Sequence, residues 1–277
     1  MLYLVVALAC EAKPITRQLG LVRDNDVANP AVFAGDDCIL VVSGVGKARA
    51  AAATAFMLTR YGARGPGIVA NIGVCGATGN THEIGQLLVI NRICDHSSDR
   101  IFLPDMLYRH SCLEAALTTC DQPVQAGQST VDAGPVVDME GAGFFEAAAM
   151  FVPTDLIMCL KVVSDFLEGD LKAARVTELM AAQAASAVDI LRGAAAAAHP
   201  SEPPLMPAEQ DALDIAAKAL RLSVTQRHML QQLAVGYKLR TSQNLLPILE
   251  PCHTSETIDK QSRLTRFDDL RRQLAPS

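Results

Sequence analysis

No two of the eight cysteines (Cys10, Cys38, Cys75, Cys94, Cys112, Cys120, Cys159 and Cys252) stand in a CxxC pair. That excludes a zinc ribbon or a thioredoxin-type motif. No His/Cys/Asp cluster at ligand spacing is present either, so no metal is expected. No apolar run approaches the roughly 18–20 uncharged residues that a membrane-spanning helix needs, and no membrane association is expected. The net charge is −6. Without a cationic excess, nucleic acid is not the expected partner. GxGxxG does not follow the first apolar run, which argues against a dinucleotide enzyme, and SGVGKA lacks both the spacing and the Ser/Thr of a Walker A loop. The N-terminal MLYLVVALAC has no basic flank, and its apolar run stops at Glu11. It reads as a buried strand rather than a leader.

What remains is a chain of 277 residues, half of them hydrophobic, enough for one large core plus an appendage. Most cysteines lie in apolar runs such as CILVV and LIMCLKVV. They read as small reduced core residues, which fits the cytoplasm. Continuous apolar runs at Leu2–Leu8, Ile39–Ser43, Gly67–Ile72, Gly85–Ile93 and Asp155–Val163 predict strands buried on both faces. Helical patterns fall between them: Glu11–Leu19 with Pro14 in its first turn, Lys47–Tyr61, and Thr177–Leu191. The alternation predicts an α/β fold with a mainly parallel central sheet flanked by helices.

The domain is expected to span 1–193, followed by a proline-bearing linker at 194–208 whose alanines can instead prolong the preceding helix. A helical C-terminal extension is expected at 209–277. That extension reads as one or two helices over Glu209–Leu239 and a final one over Leu264–Leu274. Its ten basic residues are interspersed with eight acidic ones, so packing or oligomer contact fits it better than DNA binding, despite a faint helix-turn-helix pattern in LSVTQRHMLQQLAVGYKL.

Five stretches carry residues suited to chemistry. In ALACEAKPI, Glu11 follows the first strand at a helix start. A carboxylate there can activate water or simply complement the helix dipole. In SGVGKARA, glycines between strand and helix, Gly46 among them, let backbone approach a ligand; a tight turn needs them equally. NIGVCGA, with Gly76, is a Gly-rich strand end suited to a flat ring or to a packed bend. In VVDMEGAGFFEAA, Met139 can underlie a ribose face, and Glu140 can accept hydrogen bonds from vicinal hydroxyls. In LKVVSDF, a carboxyl at Asp165 can protonate a leaving base or cap the next helix.

In this order and combination the stretches resemble the nucleoside phosphorylase superfamily over roughly residues 1–193, and most of all its methylthioadenosine/S-adenosylhomocysteine nucleosidases. The resemblance implies that Glu11 activates the attacking water and that Asp165 protonates the purine N7 with support from Ser164. It implies that Met139 and Glu140 hold the ribose, and that Gly46 and Gly76 line the pocket. It further implies a small-molecule nucleoside as partner, a homo-oligomer, and no cofactor beyond phosphate in the case of a phosphorylase. The phosphorylases' phosphate-holding arginines are missing here, where ACEAKP and Asn71 stand, which favours water. Lys47, Arg49 and Arg17 are the cations left for phosphate. Val74 replaces the usual Ser, the stretch beginning AGQSTVDAG is short, and DRIFLPDMLYRH departs from the pattern. That last segment puts Phe102 or Tyr108 forward as a pocket lid and leaves futalosine-type nucleosides beside adenine ones.

Overall fold

A computed structural model describes residues 1–62, 67–79, 81–125, 134–169, 171–198, 205–241, 243–252 and 259–274. The chain forms two compact units, Met1–His199 and Pro200–Ser277. The first contains β1 (Leu2–Val6), α1 (Ala9–Leu19), β2 (Val22–Arg23), β3 (Ala31–Ala34), β4 (Cys38–Val42), α2 (Lys47–Tyr61) and β5 (Ile68–Ala77). It continues with β6 (Leu87–Asp95), β7 (Ile101–Phe102), β8 (Leu113–Thr119), β9 (Val136–Asp138), α3 (Gly141–Ala148), β10 (Ile157–Asp165) and α4 (Ala173–Ala198).

The strands sort their side chains by parity, as a pleated strand buried on both faces must. Tyr3, Val5, Ile39, Val41, Val69, Cys159 and Val163 enter one apolar cluster with Ala50, Met57, Phe144 and Phe145 of α2 and α3. Leu2, Leu4, Leu40, Ala70, Ile72, Leu160 and Val162 enter the other, with Ile15 of α1 and Val176, Met180, Ala187 and Leu191 of α4. Helices thus cover both faces of the sheet.

The sheet is mixed rather than purely parallel. Its order is β10-β6-β8-β9-β5-β1-β4-β3-β2, and β10 also pairs with β5. β1 is parallel to β4 and β5, β5 to β10, β6 to β8 and β8 to β9. β10–β6, β5–β9, β3–β4, β2–β3 and β6–β7 are antiparallel. The long strands pair mostly in parallel, as their continuous apolar runs imply, and the short β2, β3, β7 and β9 supply most of the antiparallel pairs. Because β5 pairs with both β10 and β9, the five strands β5, β10, β6, β8 and β9 close into a ring, and the first unit is part open sheet, part barrel.

Two local differences have clear causes. β5 does not end at Ile72 but runs on through Gly73 to Ala77, held by β10 as far as Gly76 and by β9 at Gly76 and Ala77. α1 begins at Ala9, so Pro14 lies beyond its first turn. Proline there removes the N–H that would bond the Cys10 carbonyl, and the Thr177 hydroxyl of α4 donates to that carbonyl instead, at 3.1 Å.

The segment expected as linker is helical at both ends. Ala194–Ala198 continue α4, because Ala194 packs into the core cluster, and Pro207 opens the next helix at a position where proline loses nothing. Pro200, Pro203 and Pro204 lie outside the described residues. The second unit comprises α5 (Pro207–Ala219), α6 (Val224–Thr241), α7 (Leu246–Leu249) and α8 (Lys260–Leu274) around its own apolar cluster. The stretch Glu209–Leu239 therefore holds two helices. Its core is braced by buried Glu209, which accepts from Lys238 Nζ at 2.6 Å and from the N–H groups of Met206 and Leu245. Among the described residues no helix is long and apolar enough to cross a membrane.

Candidate active site

The seven residues singled out in the sequence fall at the ends of β1, β4, β5, β9 and β10, or in the first turn beyond them. Gly46 precedes α2 with φ of +107°, a backbone state that side chains other than glycine rarely adopt. Its N–H points to Glu140, donating to Oε1 at 2.8 Å. Glu140 itself stands at the start of α3 and is 7% exposed. The glycines that follow it do not weaken this helix; they let it seat. A Cβ on Gly143 would lie 2.2 Å from the Lys47 carbonyl oxygen, so α3 rests directly on the first turn of α2, and that contact holds Glu140 against Gly46.

Glu11 is 2% exposed. Its Oε2 accepts the Leu8 N–H and its Oε1 the Val74 N–H, each at 2.8 Å. Oε1 would be 2.8 Å from a Cβ on Gly73, so the carboxylate lies flat against β5. Burial raises its pKa, with the Val74 N–H and the charge of Lys161 acting the other way. Burial likewise pushes the Glu140 carboxyl up to about 7; Lys161 opposes this and Asp138 adds to it.

Asp165 closes β10 opposite Gly76. The Ser164 hydroxyl lies 2.7 Å from Asp165 Oδ1 and 3.0 Å from the Cys75 carbonyl oxygen, so one proton serves two acceptors and fixes the carboxyl's rotamer. Asp165, Gly76 and Met139 line a pocket of about 420 Å³ together with Asp138, Leu167, Leu171 and the segment Gln122–Gln125. Glu11, Glu140, Gly46 and Ser164 are outside that lining. Phe102 and Tyr108 are outside it as well. Phe102 stacks on Phe145 with ring centroids 5.4 Å apart, and Tyr108 stacks on His110. Residues 126–133, which open the short AGQSTVDAG stretch, lie outside the described residues.

The sequence reading missed two members of the cluster. Lys161, 1% exposed, places Nζ 2.7 Å from Asp138 Oδ2. Asp138 also accepts the Thr119 hydroxyl at 2.7 Å and the Gly141 N–H at 2.8 Å. A lone lysine inside the doubly buried run LIMCLKVV was the available signal, since such a charge is tolerated only with a partner. Of the cations considered for phosphate, Lys47 is engaged by Asp95 at 2.5 Å, Asp121 at 2.9 Å and the Ser97 hydroxyl. Arg17 is exposed, and the Arg49 side chain lies over Gly44. Among the described residues no group of three or more His, Cys, Asp or Glu side chains is arranged to hold a metal.

The profile of the phosphorylase superfamily matches residues 31–128. Solved structures share the fold at low identity. A futalosine hydrolase mutant of Helicobacter pylori is 17% identical, with a TM-score of 0.60 over 69% of this chain and 98% of that one. The apo 5′-methylthioadenosine nucleosidase of Arabidopsis thaliana is 20% identical, with a TM-score of 0.58 over 70% and 95%. The 5′-methylthioadenosine/S-adenosylhomocysteine nucleosidase of S. pneumoniae, with a transition-state inhibitor, is 16% identical, with a TM-score of 0.59 over 69% and 98%. No curated protein matches the sequence. The resemblance to the nucleoside phosphorylase superfamily is thereby shown, and these nucleosidases are what the chain is similar to in fold.

Proposed function

We propose, from a fold shared with nucleosidases and from two separated carboxyl sites at its strand ends, that this chain hydrolyses the N-glycosidic bond of a purine nucleoside of the methylthioadenosine, S-adenosylhomocysteine or futalosine kind. The observation that carries the reading is the Ser164–Asp165 pair at the wall of a pocket of about 420 Å³ that also presents Met139 and Gly76. That volume is within the range of small-ligand sites.

In the proposed reaction the Asp165 carboxylic acid gives its proton to N7 of the purine. The C1′–N9 bond breaks with its electron pair leaving on the base, and the ribosyl carbon becomes cationic. Glu11 takes a proton from the water that adds to C1′, so the products are free base and ribosyl alcohol. This is the division of labour between an acid and a base in inverting glycoside hydrolysis. Glu140, with one lone pair already occupied by the Gly46 N–H, accepts from the ribose hydroxyls, and Met139 packs against the sugar.

Water rather than phosphate is supported by Lys47, whose ammonium is already matched by two carboxylates. Arg49 beside the Gly44 turn is what favours the second reading, phosphorolysis.

The test is base release from methylthioadenosine, S-adenosylhomocysteine, adenosine, inosine and futalosine, each with and without phosphate. Release without phosphate is expected. Release only with phosphate would replace hydrolase by phosphorylase. Binding without release from any of them would make the chain a nucleoside sensor.

A further inference from the structure

The charged groups buried in the first unit are unbalanced. Glu11, Asp138 and Glu140 are three carboxyls, and Lys161 is the one buried ammonium among the described residues. Its placement follows from sheet register. Lys161 is the direct partner of Gly73 across the β10–β5 pair, and paired residues in neighbouring strands point to the same face. It is over Gly73 that the Glu11 carboxylate lies. On its other side, Lys161 Nζ contacts Asp138, whose Oδ2 also takes the Gly141 N–H directly after Glu140. The ammonium thus stands between the carboxylate assigned to water and the one assigned to the ribose.

We propose that Lys161 is a positioning residue of this site, a fixed buried counter-charge shared by Asp138, Glu11 and Glu140 that keeps Glu11 ionised and able to take a proton at neutral pH. This rests on the hydrolase reading and deepens it.

The surrounding groups support this. Burial works to lower the pKa of Lys161, but Asp138 and Glu140 raise it well above the ordinary lysine value, so it stays charged. The same charge pulls down the pKa of both Glu11 and Glu140 against their burial. The other titratable groups facing it are Cys75 from β5 and Cys159 from β10. Burial raises both thiols, Cys159 to about 12, so neither competes as an anion. One cation among three carboxyls cannot hold all three ionised without cost. Asp138 takes the close contact, and Glu11 and Glu140 divide what remains.

The experiment compares wild type, K161R, K161M and the double variant D138N/K161M. The double variant leaves no orphaned charge, and the amide that replaces the Asp138 carboxylate can still accept the Gly141 N–H and donate to Thr119, so it stands in should K161M alone fail to fold. Two readouts are needed: the pH profile of kcat/KM for base release, and the titration of the Glu11 and Glu140 carboxyls by carbon NMR of δ-labelled glutamate, assigned with E11Q and E140Q.

In K161M, and in the double variant for Glu11, the acid limb and the titration are expected to move up by about one pH unit or more, while Glu140 moves less in the double variant because the Asp138 charge that raises it is gone too. At pH 6 the rate then falls about tenfold, and the gap closes at higher pH. K161R brings both readouts back toward wild type. A Glu11 titration and an acid limb that stay in place in D138N/K161M would overturn the proposal and leave Lys161 as a mere structural partner of Asp138. The carboxyl titrations need no substrate. A wild type that releases no base would sink the hydrolase reading while still deciding what Lys161 does to Glu11 and Glu140.

Discussion

Burial raises the Glu140 carboxyl to about 7 although it accepts a backbone N–H and feels a nearby ammonium. The folded state therefore holds its proton more tightly than the unfolded chain between pH about 4.5 and about 7, and stability falls as pH rises through that window. Glutamine keeps the acceptor for Gly46 and has no such titration. E140Q is expected to melt higher than wild type at pH 8, by on the order of 1 kcal/mol, and to lose that advantage at pH 4; equal differences at both pH values would contradict the buried-acid account. The same variant should turn over ribosides far worse than deoxy analogues. Asp165 is different, because its neighbour Ser164 fixes its direction rather than bearing on its fold. D165N is expected to lower base release by about 10²–10⁴-fold with an unchanged melting temperature, and near-normal turnover would remove Asp165 from the role of acid.

At the scale of elements, close approach of backbone is what aligns the carboxyls. A methyl on Gly143 cannot fit 2.2 Å from the Lys47 carbonyl, so G143A has to lift α3 from α2 and carry Glu140 away from Gly46. A cost of about 1–3 kcal/mol is expected from such overpacking, measured by urea unfolding, together with a raised KM for ribosides. The same elements show what the sequence could and could not disclose. β1, β4 and β10 were legible because runs such as LYLVV and CILVV have no alternative but burial on both faces. β8 was not: Leu113–Thr119 reads LEAALTT, a string of good helix formers, and becomes a strand because β6 and β9 pair with it on either side. α3 was obscured by its glycines, whose role depends on the carbonyl they meet rather than on helix propensity. Glu11, Glu140, Ser164 and Asp165 could be singled out in the sequence, because polar groups at the ends of apolar strands stand out. The Asp138–Lys161 pair was not, since its partners lie on different strands and only the folded ring brings them together.

The molecule as a whole is two cores in one chain. Among the described residues, the apolar clusters around the sheet draw only on residues before His199, and the cluster of the helical unit only on residues from Leu205 onward. A chain ending at Ala198 is expected to fold and to release base at a rate close to that of the full chain, as measured by circular dichroism and the same nucleoside panel. A folded but inactive product would mean that the helical unit contributes to activity, and an insoluble one that it contributes to folding. Within the first unit, β10 has a neighbour on each side, β5 and β6, and is the strand through which the ring closes. Opening it would break the barrel and separate both clusters at once, so its amides should trade hydrogen for deuterium only when the entire unit unfolds. The lysine, the serine and the aspartate of the site would then share the slowest clock in the protein.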